Sequence, residues 1–147
     1  MSHHPFYNHI SLPLGATLIE VPRYVDQRGS LVALEQGLPL PFEPLRTFFI
    51  SNVPPFAKRA GHAESCHEFL LMLSGSCCAE VSDGTGSVRL GLVSDGLGLH
   101  VTPGVWIALS DFTKNALLLV CASTRYAEVE YFTTAQPELI RRSLDIK

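Results

Sequence analysis

The sequence predicts an all-β protein, a sandwich or a barrel. Ten prolines and eleven glycines, most of them between residues 16 and 133, separate short β-branched and aromatic runs, which is typical of such folds. The runs are about as long as ordinary strands of four to eight residues. The predicted strands are Ala16–Val21, Ser30–Glu35, Leu45–Val53, His67–Leu73, Cys77–Ser82, Ser87–Leu92, Gly98–Thr102, Trp106–Leu109, Ala116–Ala122 and Glu128–Thr133.

Two local patterns mark a turn and a helix. Asp83-Gly84-Thr85-Gly86 predicts a hairpin turn, because glycine accepts the positive φ that tight turns require. Pro137–Leu144 predicts a short helix, since proline is tolerated in a first turn and the apolar residues share one face.

Length and composition predict one domain over residues 1–147, with an N-terminal arm at 1–12 and a helical tail at 136–147.

The net charge of −3 argues against nucleic acid and anionic membranes as partners, because both demand dense positive charge. With 46% hydrophobic and only 17% charged residues, the surface retains apolar area. This favours an oligomer.

The sequence also predicts a cytoplasmic location. Its apolar stretches fall far short of the roughly 20 residues of a membrane-spanning helix, and the first residues lack the pattern of a secretory signal. Four cysteines occur without a paired C-x-x-C signature. They are expected to be reduced, and three of them lie in apolar, strand-like segments.

The densest group of titratable residues lies between Arg59 and Glu68. If this segment is extended, His62, Glu64 and Glu68 project from one face, because strand side chains alternate with a period of two. A solvated strand entrance is the simpler interpretation. The same face continues into apolar residues, however, which indicates that it looks into a barrel.

The spacing H-x-E-x3-E-x6-G that begins at His62 resembles the first motif of the cupin superfamily, with a glutamate in place of the second histidine. The segment Gly98–Trp106 resembles the second motif, but Ile107 stands where that motif has a histidine. Metal-binding cupins hold a divalent ion with three imidazoles and a carboxylate. Only one imidazole is present in this arrangement, so we predict no metal. An ion held by His62, Glu64 and Glu68 is the less favoured alternative.

A narrower resemblance covers residues 26–131. Its elements fall in order along the chain: Asp26-Gln27-Arg28-Gly29-Ser30-Leu31-Val32-Ala33-Leu34-Glu35, Leu40-Pro41-Phe42, Arg46, Arg59-x-x-His62-Ala63, Ser74-Gly75-Ser76, Asp83-Gly84, Gly98-Leu99, Pro103-x-x-Trp106 and Ala122-Ser123-x-x-Tyr126-x-Glu128-x-x-Tyr131. Together they resemble the dTDP-4-keto-6-deoxyglucose 3,4-ketoisomerases, metal-free cupins of the WxcM-like group. The resemblance implies a double-stranded β-helix, or jelly-roll, fold with no cofactor, and a role in making deoxyamino sugars.

The implied reaction moves a ketone between C4 and C3 of a nucleotide-linked 6-deoxyhexose. A base removes the C3 proton, an enediol or enediolate forms, and C4 receives a proton. Imidazole suits both transfers. His62 matches the first histidine of the family's His-Ala-His, and the resemblance implies that it is the principal acid and base.

Glu64 replaces the second histidine of that motif, and the stretch to Glu68 is one residue shorter than the family's. Three alternatives stay open: Glu64 takes over the transfer, His67 is shifted into the role, or the activity is lost or altered. Parity places His67 on the opposite face from His62, which favours Glu64. His100 is a further catalytic candidate, although a hydrogen-bonded histidine at the barrel rim is an equal alternative.

The resemblance also implies binding of deoxythymidine diphosphate, whose phosphates arginine can grip in a bidentate manner. The substrate-binding residues that we predict are Arg59, Arg46, Arg28, Glu68 and Trp106. The D-x-R-G segment could equally be a structural turn in which Arg28 pairs with Asp26 or Glu35, and Trp106 could serve in packing. An aromatic wall for the base could come from Phe48, Phe49 or Tyr24, each of which could instead belong to the core.

We therefore predict a homodimeric, metal-free enzyme acting on a dTDP-linked 4-keto-6-deoxyhexose. Two alternatives remain. One is a cupin that binds a nucleotide-sugar without catalysis, motivated by the loss of the second histidine. The other is a sugar-nucleotide epimerase, which also removes a proton beside a ketone.

Overall fold

The computed structural model describes residues 11–145. Two five-stranded antiparallel sheets face each other, so the all-β prediction is confirmed. The first sheet has the order β1-β11-β8-β13-β6, and the second has the order β10-β9-β12-β7-β14. Their strands are β1 Ala16–Ile19, β6 Arg46–Ser51, β7 Arg59–Glu64, β8 Glu68–Ser74, β9 Ser76–Ser82, β10 Ser87–Val93, β11 Gly98–Val101, β12 Trp106–Ser110, β13 Leu117–Ala122 and β14 Tyr131–Phe132. No helix within residues 11–145 is long and apolar enough to cross a membrane.

The main core lies between the two sheets. Each strand sends alternate side chains into it, as the period of two requires. In β9, Cys77, Ala79 and Val81 are buried and the residues between them are more exposed. Fully buried residues from the facing strands complete this core, among them Met72, Leu92, Leu99, Leu109, Leu118 and Val120.

A second apolar cluster covers the outer face of the first sheet. Phe69 and Leu71 of β8 point outward and are fully buried there by Leu40 and Phe42 of the preceding loop. That loop contains β4 Glu35–Gln36 and β5 Pro39–Leu40, which pair in parallel. Since both faces of β8 are covered, its sequence is a continuous apolar run rather than an alternating one.

The predicted turn and helix are both present. Asp83 closes the turn, because one of its carboxylate oxygens accepts hydrogen bonds from the backbone N–H groups of Thr85 and Gly86, each at 2.8 Å. Helix α1 spans Pro137–Ser143 and packs Ile140 into the main core. It approaches Gly104 so closely that a Cβ there would lie 2.7 Å from the Gln136 carbonyl oxygen.

Two predicted strands differ from the structure. Residues 30–35 do not form one strand: β3 Gly29–Leu31 pairs with β2 Tyr24–Asp26 in a separate hairpin. The Asp26 carboxylate accepts a hydrogen bond from the Arg28 N–H at 2.8 Å and so tightens this turn. Near the C-terminus, a single 3-10 turn at Tyr126–Glu128 shortens the predicted last strand to β14. Most of the predicted arm at 1–12 lies outside the described residues.

Candidate active site

A cavity of about 330 Å³ lies between the sheets at the end where β6 and β14 are the outermost strands. Its inner wall is apolar, and its polar groups come from β6, β7 and the start of β8. The lining residues are Arg46, Phe48, Ile50, Arg59, Ala60, His62, Glu64, Glu68, Leu70, Ile107, Leu109, Val120, Tyr126 and Tyr131. An apolar pocket with a few convergent polar groups is the usual form of a small-molecule site.

His62, Glu64 and Glu68 do meet in this cavity, but not because they lie on one strand. His62 and Glu64 belong to β7 of the second sheet, whereas Glu68 begins β8 of the first. The turn between the strands is fixed by Ser65, which accepts a hydrogen bond from the Glu130 N–H at 2.8 Å. The shared-face prediction for residues 62–68 is therefore wrong in its geometry, because the chain crosses between the sheets.

The strand that carries His62 contains a bulge. The pairing of β7 with β12 shifts between Ile107 and Ala108, which face His62 and Ala60. Gly61 is thus the extra residue of β7, and its φ of 83° is one that glycine adopts readily. The His62 ring lies edge-on to the Tyr131 ring with centroids 4.9 Å apart.

Two carboxyl groups accompany the histidine in the cavity. Oε1 of Glu64 lies 3.6 Å from Nε2 of His62, and Glu68 also lines the cavity. Both glutamates are 6% exposed. Burial alone would raise the pKa of Glu64, but the neighbouring His62, Glu68 and Arg46 shift that pKa downward. Burial raises the pKa of Glu68 well above its ordinary value, and its contact with Glu64 adds to the shift.

Arg46 supplies positive charge beside the carboxyl pair. Its guanidinium lies 5.3 Å from the ring centroid of Phe48 and 5.7 Å from that of Tyr126. Its Nε and Nη2 atoms are buried and have no hydrogen-bond partner among residues 11–145, and the same holds for Oε2 of Glu64. Because buried polar groups are nearly always hydrogen-bonded, these atoms point to a polar ligand.

His67 and His100 lie outside the cavity. Both are on the outer face of the first sheet, where Nδ1 of His67 and Nε2 of His100 are 3.0 Å apart. The two rings are stacked, and Phe42 packs against both. Burial lowers the pKa of His100 to about 4, with a contribution from His67. The structure thus does not bring His100, a predicted catalytic residue, to His62, because His100 alternates with the inward-facing Leu99 and Val101.

Arg28 and Trp106, two predicted substrate-binding residues, also lie away from the cavity. Arg28 is at the tip of the β2–β3 hairpin, where its guanidinium pairs with Asp26 at 2.6 Å and is 90% exposed. Trp106 points to the outer face of the second sheet, into a shallow groove that Glu80 and Thr133 also line. Ile107, the next residue, faces the cavity instead.

The cavity contains two aromatic residues that the sequence did not assign to it. Tyr126 and Tyr131 both line it, although they matched the family pattern in the sequence. The 3-10 turn at residues 126–128 carries the first, and the pairing of β14 with β7 places the second opposite Glu64. Among the three aromatic residues proposed for a base-binding wall, Phe48 lines the cavity, whereas Phe49 and Tyr24 are exposed elsewhere.

Among residues 11–145, no group of three or more histidine, cysteine, aspartate or glutamate side chains is arranged to hold a metal ion. The four cysteines are free, and Cys66, Cys77 and Cys121 are buried. Burial raises the pKa of the Cys66 thiol to about 11, so this thiol is not a nucleophile at neutral pH.

Comparison with known proteins identifies the group to which the fold and site belong. The family described as "FdtA: WxcM-like, C-terminal" matches residues 14–137. The chain belongs to this family. A TDP-4-oxo-6-deoxy-alpha-D-glucose-3,4-oxoisomerase from Aneurinibacillus thermoaerophilus is 34% identical over 115 residues, which are 78% of this chain and 83% of that protein.

Solved structures of 3,4-ketoisomerases share the fold. The WlaRB TDP-quinovose 3,4-ketoisomerase from Campylobacter jejuni is 31% identical, with a TM-score of 0.76 over 86% of this chain and 97% of that one. A mutant 3,4-ketoisomerase from Thermoanaerobacterium thermosaccharolyticum, in complex with TDP-4-keto-6-deoxyglucose, is 26% identical, with a TM-score of 0.78 over 91% and 97% of the two chains. The predicted family resemblance and jelly-roll fold of this FdtA/WxcM-like chain are confirmed.

Proposed function

We infer that this protein is a 3,4-ketoisomerase of a TDP-linked 4-keto-6-deoxyhexose, acting in deoxysugar biosynthesis. The observation that carries this conclusion is that His62 and Glu64 lie side by side in a mostly apolar cavity. The chain that forms this cavity is 34% identical to a TDP-4-oxo-6-deoxy-alpha-D-glucose-3,4-oxoisomerase. The cavity provides an acid–base pair and an adjacent cation. Those are the groups that proton transfer beside a ketone requires.

The reaction rearranges one substrate molecule, and each of its steps is the transfer of a proton. A base takes the proton from C3, the C–H electron pair forms a C3=C4 double bond, and the C4 carbonyl oxygen becomes an oxyanion. The hydroxyl proton on O3 is then lost and O4 is protonated. Finally the electrons of the double bond take a proton at C4, which leaves the ketone at C3. No atom is gained or lost overall.

We assign removal of the C3 proton to His62. We assign the second transfer to Glu64, whose carboxylate accepts the O3 hydroxyl proton and then delivers it to C4. The His62 ring reaches the cavity, and Oε1 of Glu64 lies 3.6 Å from its Nε2. A carboxylate there can stabilise the imidazolium that forms when the ring takes a proton. Oε2 of Glu64 has no hydrogen-bond partner among the described residues, and it is the oxygen we assign to substrate.

Arg46 and Arg59 are our proposed substrate-binding cations. Arg59 lines the cavity at the first residue of β7, and the buried guanidinium of Arg46 has free donors. Both suit the phosphates of a nucleoside diphosphate, since one guanidinium group can donate two parallel hydrogen bonds to phosphate oxygens. Arg46 lies near Glu64 and Glu68, where it could equally balance the enediolate charge.

The reaction is tested by incubating the protein with TDP-4-keto-6-deoxyglucose in deuterated buffer and following the sugar protons by NMR. We expect a 3-keto product with deuterium at C4, and His62→Asn should lower the rate by about 1000-fold while TDP still raises the melting temperature. Glu80→Gln, on the outer face of the second sheet, is the control. Binding of TDP without any exchange in the unmodified protein would contradict the proposed reaction.

We further propose that the protein is a cytoplasmic homodimer. The β2–β3 hairpin pairs with neither main sheet. Three of its apolar or aromatic residues are largely exposed to solvent: Tyr24 is 61%, Val25 71% and Leu31 59% exposed. Apolar residues exposed together favour a protein partner, and the free cysteines fit a reducing compartment. Sedimentation equilibrium should give twice the chain mass of 16.1 kDa, and a mass equal to one chain would exclude the dimer.

A further inference from the structure

The guanidinium of Arg46 offers a ligand one complete edge. Its two buried atoms without a hydrogen-bond partner among residues 11–145 are Nε and Nη2. These two nitrogens lie on the same side of the planar group, so their N–H bonds can reach two oxygens of one phosphate. None of the ion pairs within residues 11–145 involves Arg46, although Glu64 and Glu68 line the same cavity. The position of this guanidinium therefore depends on other contacts.

Two aromatic rings supply those contacts. The central carbon of the Arg46 guanidinium lies 5.3 Å from the ring centroid of Phe48 and 5.7 Å from that of Tyr126. Both distances are within the roughly 6 Å over which a cation is attracted to an aromatic face. A ring face attracts the charge without forming a conventional hydrogen bond, so Nε and Nη2 stay available to a ligand. Phe48 follows Arg46 by two positions in β6, which places both side chains on one face of the strand.

The backbone that carries Tyr126 is attached to neighbouring segments before and after the 3-10 turn. The Ser123 N–H donates a hydrogen bond to the His67 carbonyl oxygen at 3.0 Å. Beyond the turn, the Glu130 N–H donates to the Ser65 hydroxyl oxygen at 2.8 Å. The Tyr126 side chain is 71% exposed, so its ring adds little to the core. The fold nevertheless holds this ring beside the cavity.

We propose that Tyr126 is a positioning residue for phosphate binding: its ring, together with that of Phe48, holds the Arg46 guanidinium so that the Nε–Nη2 edge receives a phosphate of TDP. This inference rests on the proposed function and deepens it. Tyr126 acts through Arg46 and is assigned no contact with the ligand. The two rings keep the cation ready for the phosphate and apart from the carboxyl groups in the same cavity.

Two substitutions of Tyr126 separate the aromatic face from the hydroxyl group and from bulk. Tyr126→Phe keeps the face, so the Kd for TDP should stay within about twofold of the unmodified value. Tyr126→Leu removes the face, and this Kd should rise by about fivefold, or about 1 kcal/mol. Phe49→Leu is the matched control, because Phe49 lies on β6 but is 59% exposed and does not line the cavity. Equal Kd values for the Phe and Leu variants of Tyr126 would overturn the positioning role.

A double-mutant cycle with Arg46→Met tests whether Tyr126 acts through the arginine. Once the guanidinium is absent, adding Tyr126→Leu should change the Kd for TDP by less than about twofold, because the two residues then no longer interact. Calorimetric titration of both single variants and the double variant measures this. A further fivefold rise in the double variant would show that the ring contacts the ligand directly, which would overturn the positioning role.

The deuterium-exchange assay separates this inference from the proposed function. Tyr126→Leu should raise KM by about fivefold and leave kcat within about twofold, since the ring is assigned to binding and not to proton transfer. A fall in kcat with an unchanged KM would overturn the positioning role. An active enzyme whose Tyr126→Leu variant binds TDP like the unmodified protein overturns the inference alone. A protein that shows the expected TDP affinities but catalyses no exchange overturns the proposed function and leaves the role of Tyr126 in binding intact.

Discussion

Two histidine-containing clusters lie on opposite faces of the first sheet and differ in how they are completed. The cavity cluster comprises His62, Glu64, Glu68 and Arg46, and the outer cluster comprises His67, His100 and Phe42. The outer imidazoles lie within hydrogen-bonding distance of each other, and the His67 ring stacks on the ring of Phe42. In the cavity cluster, three buried polar atoms of Arg46 and Glu64 have no hydrogen-bond partner in the described part of the chain.

This difference separates a binding site from a structural one. Glu68 and His67 are adjacent in the sequence, yet one faces the cavity and the other faces the covering loop. A cluster whose polar groups satisfy each other stabilises the fold, whereas unsatisfied buried donors and acceptors are retained where a ligand completes them. We therefore expect the cavity cluster to bind a ligand and the outer cluster to stabilise the fold.

The larger predicted effect concerns ligand binding by the cavity cluster. Arg46→Met should raise the Kd for TDP by about 30-fold, or about 2 kcal/mol, because charged hydrogen bonds to the ligand are lost. Arg89→Met is the matched control: its guanidinium lies on the outer face of the second sheet, near Glu80 and Asp111. Calorimetric titration with TDP measures both. An unchanged Kd for Arg46→Met would remove Arg46 from the binding site.

The smaller effect concerns the outer cluster and appears in stability. Burial lowers the pKa of His100 to about 4 and also lowers that of His67, whereas a histidine in the unfolded chain titrates near about 6.5. The unfolded state therefore takes up more protons between these values. The stability that depends on the neutral pair is complete above about pH 6.5 and is lost as the pH falls towards 4.

We expect this loss to be about 2 kcal/mol, less than the full pKa difference implies because the rings retain some solvent contact. Urea unfolding at pH 7 and at pH 4.5 measures it in the unmodified protein and in His100→Gln, which has no titrating ring there. The variant should lose less stability over the same interval. Equal losses in both proteins would show that the outer pair does not carry the pH dependence.

The sequence predicted the strands of the main sheets more closely than the connections. Strand side chains alternate between two faces, so the spacing of apolar residues shows which faces of a strand are buried. The alternating run of β9 therefore predicts one buried face, and the continuous run of β8 predicts two. The segment at residues 24–40 was less predictable, since its short hairpin and loop strands depend on local bonds such as that between Asp26 and Arg28. Hence a single strand at residues 30–35 was predicted in place of a hairpin.

The candidate site was predicted in part. His62, Glu64, Glu68, Arg46 and Arg59 were singled out and all line the cavity. The sequence by itself determined that these groups are of the kind that moves protons and binds phosphates. His100 and Trp106 were misplaced, because family position indicates which residues are near a site but not to which face of a sheet they point.

Tertiary structure alone decided which polar groups meet. The sequence determined an all-β chain, its hairpin turn, its terminal helix and its family. It could not determine that β7 and β8 belong to opposite sheets, so that Glu64 and Glu68 line one cavity from its two sides. That arrangement depends on two sheets whose packing is set by many apolar residues distant in the sequence, and no local spacing encodes it.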